Sequence, residues 1–366
     1  MSKKIKLWIA TGSLSGGGAE SQIHLLASHL DPGRFDIRIG YLTKNESDPT
    51  FPEHVSLIHL SREKTWQWHR VWSGIQDDFR LFKPNLVHVW LPDTIIIPAA
   101  VVSKMQGHPV ISSIRRSTFK GISRSYFPRE AMGLLPHLFS SRIVSNFPIT
   151  EEPWIVKRLC SWRGNMVIPN GVDTRRQAGP HEANSDKLRL MYVGRFARQK
   201  NLPFLIRVLG EIKRRGNVSC HLSIFGKGVH DQKAVLEKLI KEVGLSGDDV
   251  AFEGYRTDWR RESGRFDYMV FPSLSEGMPN VVAEAMAEGV PVIASDIVET
   301  APLVIAGENG FRFDPTISHE LIEIIESVPR GDEHWNKLSH SAANKANEYS
   351  ITQMVATYEQ LYERIA

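Results

Sequence analysis

The sequence predicts an α/β protein of two doubly wound domains, and three observations carry that prediction. The chain has 366 residues, more than one hydrophobic core ordinarily serves. Short apolar runs alternate with amphipathic stretches nearly from end to end, the pattern of buried strands joined by crossover helices. A polar stretch containing Gly and Pro, 174–187, interrupts this alternation, which then restarts. Strands separated by helices imply parallel sheets with right-handed crossovers. Two such sets imply two domains, expected to face each other across a cleft.

In chain order, 6–10 reads as a first strand and 19–30 as a helix with apolar residues at helical spacing. Further strands are expected at 35–42, 86–90, 109–114 and 142–145. After the polar stretch come a strand at 188–193, a helix at 202–214, a strand at 219–225 and a helix at 231–243. Strands at 250–253, 268–271 and 291–294 complete the second set, and a last helix spans about 352–365. The expected division is 1–174, 187–349 and a terminal segment 350–366. The sequence shows no internal repeat and no low-complexity segment.

Composition narrows the class. Hydrophobic residues make up 42% and charged residues 23%, as in soluble globular proteins. No segment approaches the ~18–20 apolar residues of a membrane span; the best run, 94–102, ends at Ser103 and Lys104. The first ten residues carry lysines, but their apolar run is too short for a signal peptide and no small-residue cleavage site follows. Cys160 and Cys220 fall in different predicted domains and form no metal spacing or disulfide framework. A cytoplasmic location is expected. The charge is uneven: 21 Lys and Arg against 14 Asp and Glu give residues 1–174 a balance of +7, so a net +4 leaves −3 for the remainder. A basic first half points to an anionic partner, whether nucleic acid, a phospholipid surface or a diphosphate-linked acceptor.

The segment 271–296 is the most informative. A buried strand ends at Phe271, and the loop after it carries Glu276, Gly277, Met278, Pro279 and Asn280. Pro279 suits the first turn of a helix, where a missing N–H costs nothing. A helix N-terminus presents backbone N–H groups and the positive end of its dipole, a place for a diphosphate. Glu284 lies about a turn further in, within reach of a ribose, and Glu276 lies ahead of the helix, within reach of a sugar. Alone, each glutamate reads as a solvated acid; the pair at this spacing, between Gly-Met-Pro and Gly-Val-Pro, points to a site. Arg195 and Lys200, in the loop after a buried strand, offer two cations to a diphosphate. The loop 11–18 follows a strand and precedes a helix, so its backbone has close access to phosphate. Its glycine spacing is not G-x-G-x-x-G, which weighs against a nicotinamide site.

This segment resembles the E-x7-E region of the retaining glycosyltransferases of family 4, and the resemblance runs nearly the whole chain. Ile168-Pro-Asn-Gly-Val-Asp173 resembles that family's signature at the end of the first domain, and Val193-Gly-Arg195-Phe-Ala-Arg-Gln-Lys200-Asn the opening of the second. Gly17-Gly-Ala-Glu20 resembles its Gly-Gly-x-Glu loop. The resemblance implies the GT-B fold of two Rossmann-like domains, with the last helix crossing back to the first. It implies a nucleoside-diphosphate sugar as donor, substrate rather than cofactor, and a hexosyl or N-acetylhexosaminyl group transferred with retention. The donor would lie mainly on the second domain and the acceptor on the first. Gly17 and Gly18 would contact the diphosphate, Arg195 and Lys200 neutralise it, Glu284 hold the ribose and Glu276 the sugar. Gly277, Met278, Pro279 and Asn280 would complete the donor site. Relatives need no metal, and the chain has no Asp-x-Asp to hold one. The implied acceptor is a glycan or polyprenyl-diphosphate-linked glycan in surface polysaccharide or lipopolysaccharide assembly, not nucleic acid. A sugar-nucleotide epimerase of the same fold and a non-catalytic lipid-binding scaffold are the competing classes.

The chain departs from the family in two places. Where relatives often carry a histidine after the strand 109–114, this chain has Arg115 and then Arg116. A guanidinium stays protonated and is no base, so contact with a donor or acceptor phosphate or carboxylate is the expected role. The small residues that relatives carry after the Gly-x-Pro strand are replaced by Val298-Glu299-Thr300-Ala301. Finally, Arg115, Arg116, Lys120, Arg124 and Arg129 interleave with Phe119, Tyr126 and Phe127, a pattern for peripheral docking on an anionic membrane or for a solvated helix face.

Overall fold

The computed structural model describes all residues except 1–2, 16, 47, 61–67, 91–94, 116–133, 151, 178, 180, 182–186 and 229–230. The chain divides into two compact units, Met1–Gly171 with Ile351–Ala366, and Val172–Ser350.

The first unit is a seven-stranded parallel sheet in the order β3-β2-β1-β4-β5-β6-β7. Its strands are β1 Ile5–Ser13, β2 Phe35–Thr43, β3 Val55–His59, β4 Leu86–Val89, β5 Val110–Ile114, β6 Arg142–Ser145 and β7 Asn165–Val167. The helices between them are α1 Gly18–His29, α2 Trp68–Phe82, α3 Ile96–Met105, α4 Leu135–Phe139 and α5 Trp154–Arg163. β1 shows why the strands read as apolar runs. Leu7 and Ile9 enter one core with Leu26, Ile37 and Ile39, while Trp8 and Ala10 enter the opposite core with Val71, Phe79 and Val89. Successive side chains point to opposite faces and helices cover both, so both sets must be apolar. The one polar atom on Trp8 is satisfied, its indole N–H donating to Asp78 Oδ2 at 2.8 Å.

The second unit repeats the plan with six parallel strands in the order β10-β9-β8-β11-β12-β13. They are β8 Leu188–Val193, β9 Cys220–Phe225, β10 Val250–Gly254, β11 Tyr268–Phe271, β12 Val292–Ser295 and β13 Gly310–Phe313. The helices are α6 Leu202–Arg215, α7 Gln232–Glu242, α8 Asn280–Ala287, α9 Ser318–Ser327 and α10 Glu333–Asn347. Again the core splits by parity, Leu190 and Tyr192 facing one side and Met191 and Val193 the other.

The last helix, α11 Ile351–Ile365, belongs to the first unit. Met354, Val355, Tyr358, Leu361 and Tyr362 recur at helical spacing and are buried with Ile23, Leu26 and Phe35. The division falls at Gly171/Val172, three residues ahead of the expected 174, and the described part of 174–187 is no free tether. Glu288 accepts the Gln177 N–H at 2.7 Å, and His181 Nε2 lies 2.9 Å from Asp267 Oδ1. Polar composition suggested a linker; among its described residues, Gln177 and His181 find partners on the body of the second unit. Gly171 is required where it stands, because a Cβ there would meet the Ile351 Cα at 2.9 Å.

Candidate functional site

In the second unit the strand order reverses between β8 and β11, which pair through Tyr268↔Leu190 and Met269↔Met191. Ligands of open parallel sheets bind beyond the carboxyl ends of the strands at such a switch point. The loops leaving β8 and β11 are the ones that carry Arg195 and Lys200, and Glu276 to Asn280. The fold therefore brings these two groups together although some 80 residues separate them, as strands paired at a switch point require.

The loops are stitched side by side. The Leu274 N–H donates to the Gln199 carbonyl at 2.8 Å. Lys200 Nζ lies 2.7 Å from Glu276 Oε1, with the two side chains 12% and 11% exposed. The same ammonium sits 5.0 Å from the Phe271 ring centroid. Lys200 closes a 3-10 turn, Arg198–Lys200, and Asn201 leaves it in the left-handed conformation to start α6. The Tyr192 hydroxyl donates to the Arg195 carbonyl at 3.0 Å, and burial pushes that phenol above its ordinary range. The Arg195 side chain is exposed and forms no ion pair among the described residues. Beside it the loop after β9 passes so closely that a Cβ on Gly226 would lie 1.9 Å from the Gly194 carbonyl oxygen. Phe225-Gly-Lys-Gly228 is thus a close-packed turn at the same strand ends.

α8 follows the β11 loop. Asn280 is its first residue and Pro279 its N-cap, with no side chain capping the end. Met278 and Pro279 are buried, while Gly277, Asn280 and Glu284 are partly exposed. Burial raises the Glu284 carboxyl above the usual range, and the nearby Arg260 guanidinium opposes that rise. Arg260 escaped the sequence reading. It lies 2.6 Å from Glu288 Oε1 and donates to the Asp173 carbonyl at 2.7 Å, so the end of α8 is tied to the segment entering the unit. No local pattern in the sequence marks it. Ser273 is fully buried in the β11 loop, and its hydroxyl has no partner among the described residues.

The first unit has its own switch point, between β1 and β4. Gly17 and Gly18 are exposed at the β1–α1 turn there, Gly17 as the N-cap of α1 without a side-chain cap. The Trp90 indole N–H donates to the Ala19 carbonyl at 3.0 Å and so holds the start of α1. Gln22 brackets Gly171, donating to its carbonyl at 2.9 Å and accepting its N–H at 2.8 Å. Arg115 is buried in this network. Its guanidinium lies 3.8 Å from the Trp90 ring centroid, donates to Asn170 Oδ1 and Ser113 Oγ at 3.3 Å, and donates to the Tyr358 hydroxyl. The expectation that Arg115 meets a phosphate or carboxylate thus meets a guanidinium engaged with α11 and the strand ends. His88, also unforeseen, lies 2.7 Å from the Tyr362 hydroxyl and 2.8 Å from Ser113 Oγ, and burial holds its imidazole well below its ordinary pKa. Arg116, Lys120, Arg124, Arg129, Phe119, Tyr126 and Phe127 lie outside the described residues. Among the described residues no three His, Cys, Asp or Glu side chains gather as a metal site would.

Comparison with known proteins places the fold. Residues 187–328 match a family model described as "Glycosyl transferases group 1". The chain is 28% identical over 193 residues to an uncharacterized 41.2 kDa protein in the cps region of Klebsiella pneumoniae, covering 51% of this chain and 49% of that one. It is 32% identical over 133 residues to the putative glycosyltransferase EpsF of Bacillus subtilis, 36% of this chain and 34% of that one. The chain thus spans about half or less of the length of these relatives. The crystal structure of Anabaena Alr3699/HepE in complex with UDP and glucose superposes with a TM-score of 0.78 at 18% identity, over 98% of this chain and all of that one. Sucrose-phosphate synthase from Thermosynechococcus elongatus gives 0.79 at 18% identity, over 99% of each chain. The two parallel sheets, each flanked by helices, are the GT-B architecture.

Proposed function

We propose that the protein is a retaining glycosyltransferase of family 4 that moves a hexosyl or N-acetylhexosaminyl unit from a nucleoside-diphosphate sugar to a hydroxyl of a glycan or lipid-linked acceptor. One observation carries the reading: Lys200 pairs with Glu276 between the loops that leave β8 and β11 at the switch point, loops that also carry Arg195 and lead into the uncapped start of α8, with Glu284 about a turn further along that helix. Arg195 and Lys200 stabilise the departing diphosphate, the charge that develops as the glycosidic bond breaks. The α8 N-terminus adds its dipole to the same oxygens. Glu284 accepts from the ribose hydroxyls and Glu276 from hydroxyls of the transferred sugar. Gly277, Met278, Pro279 and Asn280 line this donor site, and Gly17 and Gly18 keep the phosphate contact that the resemblance implies.

In the reaction the bond between the sugar's anomeric carbon and the diphosphate oxygen breaks, a bond to the acceptor oxygen forms on the same face, and the acceptor proton passes to a diphosphate oxygen. The two cations take the part that a divalent metal would otherwise play. The Anabaena structure, described as holding UDP and glucose, favours a uridine nucleotide. The acceptor we propose is a polysaccharide on a polyprenyl-diphosphate carrier, met in peripheral contact at the inner face of the plasma membrane, a reading supported by the +7 balance of residues 1–174.

The test is a melting screen against UDP-, GDP- and ADP-sugars. A ligand at a hundred times its Kd stabilises the folded state by about 2.7 kcal/mol. A shift with one nucleotide family, with sugar transfer only when acceptor is present, is the expected result. Donor turnover without acceptor would mark an epimerase, and no shift with any donor would overturn the reading.

A further inference from the structure

We propose that the outer face of α5 is a docking surface for an anionic lipid bilayer, with Trp154 and Trp162 seated at the headgroup level. The claim deepens the peripheral membrane contact proposed above and rests on it, but it does not depend on the donor chemistry.

α5 is apolar on two sides. Val156, Leu159 and Cys160 face inward and pack with Ile114, Ile143 and Phe147. Trp154, Ile155 and Trp162 face outward and are 71%, 47% and 67% exposed. Trp154, Arg158 and Trp162 recur every fourth residue, so they form one stripe, with the two indoles about 12 Å apart along the axis. Lys157 and Arg158 are exposed on the same side. A helix that needed only to cover the core would not carry two tryptophans outward, since exposed aromatic surface is costly in water.

The patch continues beyond the helix. The Arg163 guanidinium lies 3.8 Å from the Trp162 ring centroid and also donates to the Leu138 carbonyl, which joins α4 to the stripe. Leu135 and Leu138 of α4 are 39% and 42% exposed, and Met166 and Val167 are exposed on β7, the edge strand that follows α5. Stacking under Arg163 holds Trp162 in place, so little side-chain freedom is lost on docking.

Charge decides the partner. Residues 153–172 include Lys157, Arg158 and Arg163 and no Asp or Glu. Tryptophan beside lysine and arginine is the composition of an interfacial helix, with the rings at the water–lipid boundary and the cations on anionic headgroups. A second copy of this chain fits less well. A two-fold contact through this face would bring the Lys157 and Arg158 of both copies into one interface that carries no acid from α5 to offset them.

Flotation with equimolar phosphatidylglycerol and phosphatidylcholine vesicles, and with phosphatidylcholine alone, tests this. Wild type should float with the mixed vesicles and release as salt is raised. Trp154→Ala with Trp162→Ala should lower partitioning about tenfold or more, and Lys157→Glu with Arg158→Glu should abolish the preference for anionic lipid. Both variants should keep the wild-type melting shift with the nucleotide sugar, which separates docking from the donor site. Wild-type flotation by both variants would assign the contact to another surface and overturn this one. Failure of the wild type itself to float would overturn the membrane contact as a whole and leave the donor reading standing. Light scattering that shows a dimer, monomerised by the tryptophan variant, would overturn the proposal in favour of self-association.

Discussion

Glu276→Gln should tighten binding of the bare nucleoside diphosphate while weakening that of the nucleotide sugar. The reason is the Lys200–Glu276 pair, 2.7 Å between charged atoms with both side chains mostly sheltered. At an effective dielectric of about 20, unit charges 4 Å apart attract by about 4 kcal/mol. A diphosphate oxygen drawing Lys200 away from Glu276 thus gains about what the pair gives up, and a carboxylate remains nearby to repel it. Glutamine removes that competitor at nearly constant shape. The expected gain for the nucleoside diphosphate is about 1 kcal/mol, or fivefold. The sugar loses a charge-assisted hydrogen bond and keeps a neutral one, about 1.4 kcal/mol, which against the gain of about 1 kcal/mol at the phosphates leaves the nucleotide sugar weaker by about 0.4 kcal/mol, or twofold. Lys200→Met removes the cation and leaves Glu276 facing the phosphates, so both ligands should weaken together by about 1.5–3 kcal/mol. Calorimetric titration of both ligands against all three proteins reads these numbers directly. If Glu276→Gln weakened the two ligands equally, or Lys200→Met tightened the nucleoside diphosphate, the assignment of cation to phosphate and acid to sugar would be wrong.

Glu284→Ala should weaken the donor by about 1.5–3 kcal/mol through lost ribose hydrogen bonds, and unchanged affinity in a folded variant would remove Glu284 from the site. Because burial raises the Glu284 carboxyl, donor affinity should fall with decreasing pH earlier than an ordinary glutamate, near 4.3, would cause, and Glu284→Gln should flatten that limb. The same shift has the opposite sign for folding: the folded state holds this proton longer, so ionisation with rising pH costs stability that Glu284→Gln removes. Transfer activity should survive excess EDTA; loss on chelation with recovery on adding Mg or Mn would overturn the two-cation diphosphate site. His137 is buried against Ser112 and its pKa is lowered to about 4, so it contributes stability at neutral pH. That contribution should decline as pH falls from about 6.5 toward the folded value, by roughly 1.4 kcal/mol per pH unit. A His137→Gln variant whose melting temperature tracked wild type over that window would refute it.

How much of the fold is legible in the sequence depends on burial. Strands covered on both faces, such as β11 and β12, are short runs made almost wholly of apolar residues, and chemistry alone announces them. The edge strands β3, β7 and β13 show no apolar run and no full alternation over their three to five residues, whereas the edge strand β10 is legible through Val250, Ala251 and Phe252. α5 was equally opaque, since apolar residues on both of its sides blur the helical period.

The same limit governs the site. Sequence by itself determined which residue types stand where: two acids eight apart, two cations after a buried strand, a proline at a helix start, glycines at the strand ends. Those follow from local chemistry, the demands of turns and helix termini. Only the tertiary structure decided their partners. Lys200 meets Glu276 because β8 lies beside β11, and Arg260 meets Glu288, 28 positions on, with β11 and α8 between them. Arg115 is enclosed by Tyr358, a residue 243 positions away. Such pairings arise from strand order and helix docking, which are properties of the whole chain's packing. A side chain's identity is local, but which charge neutralises it is settled by what the fold brings within 4 Å.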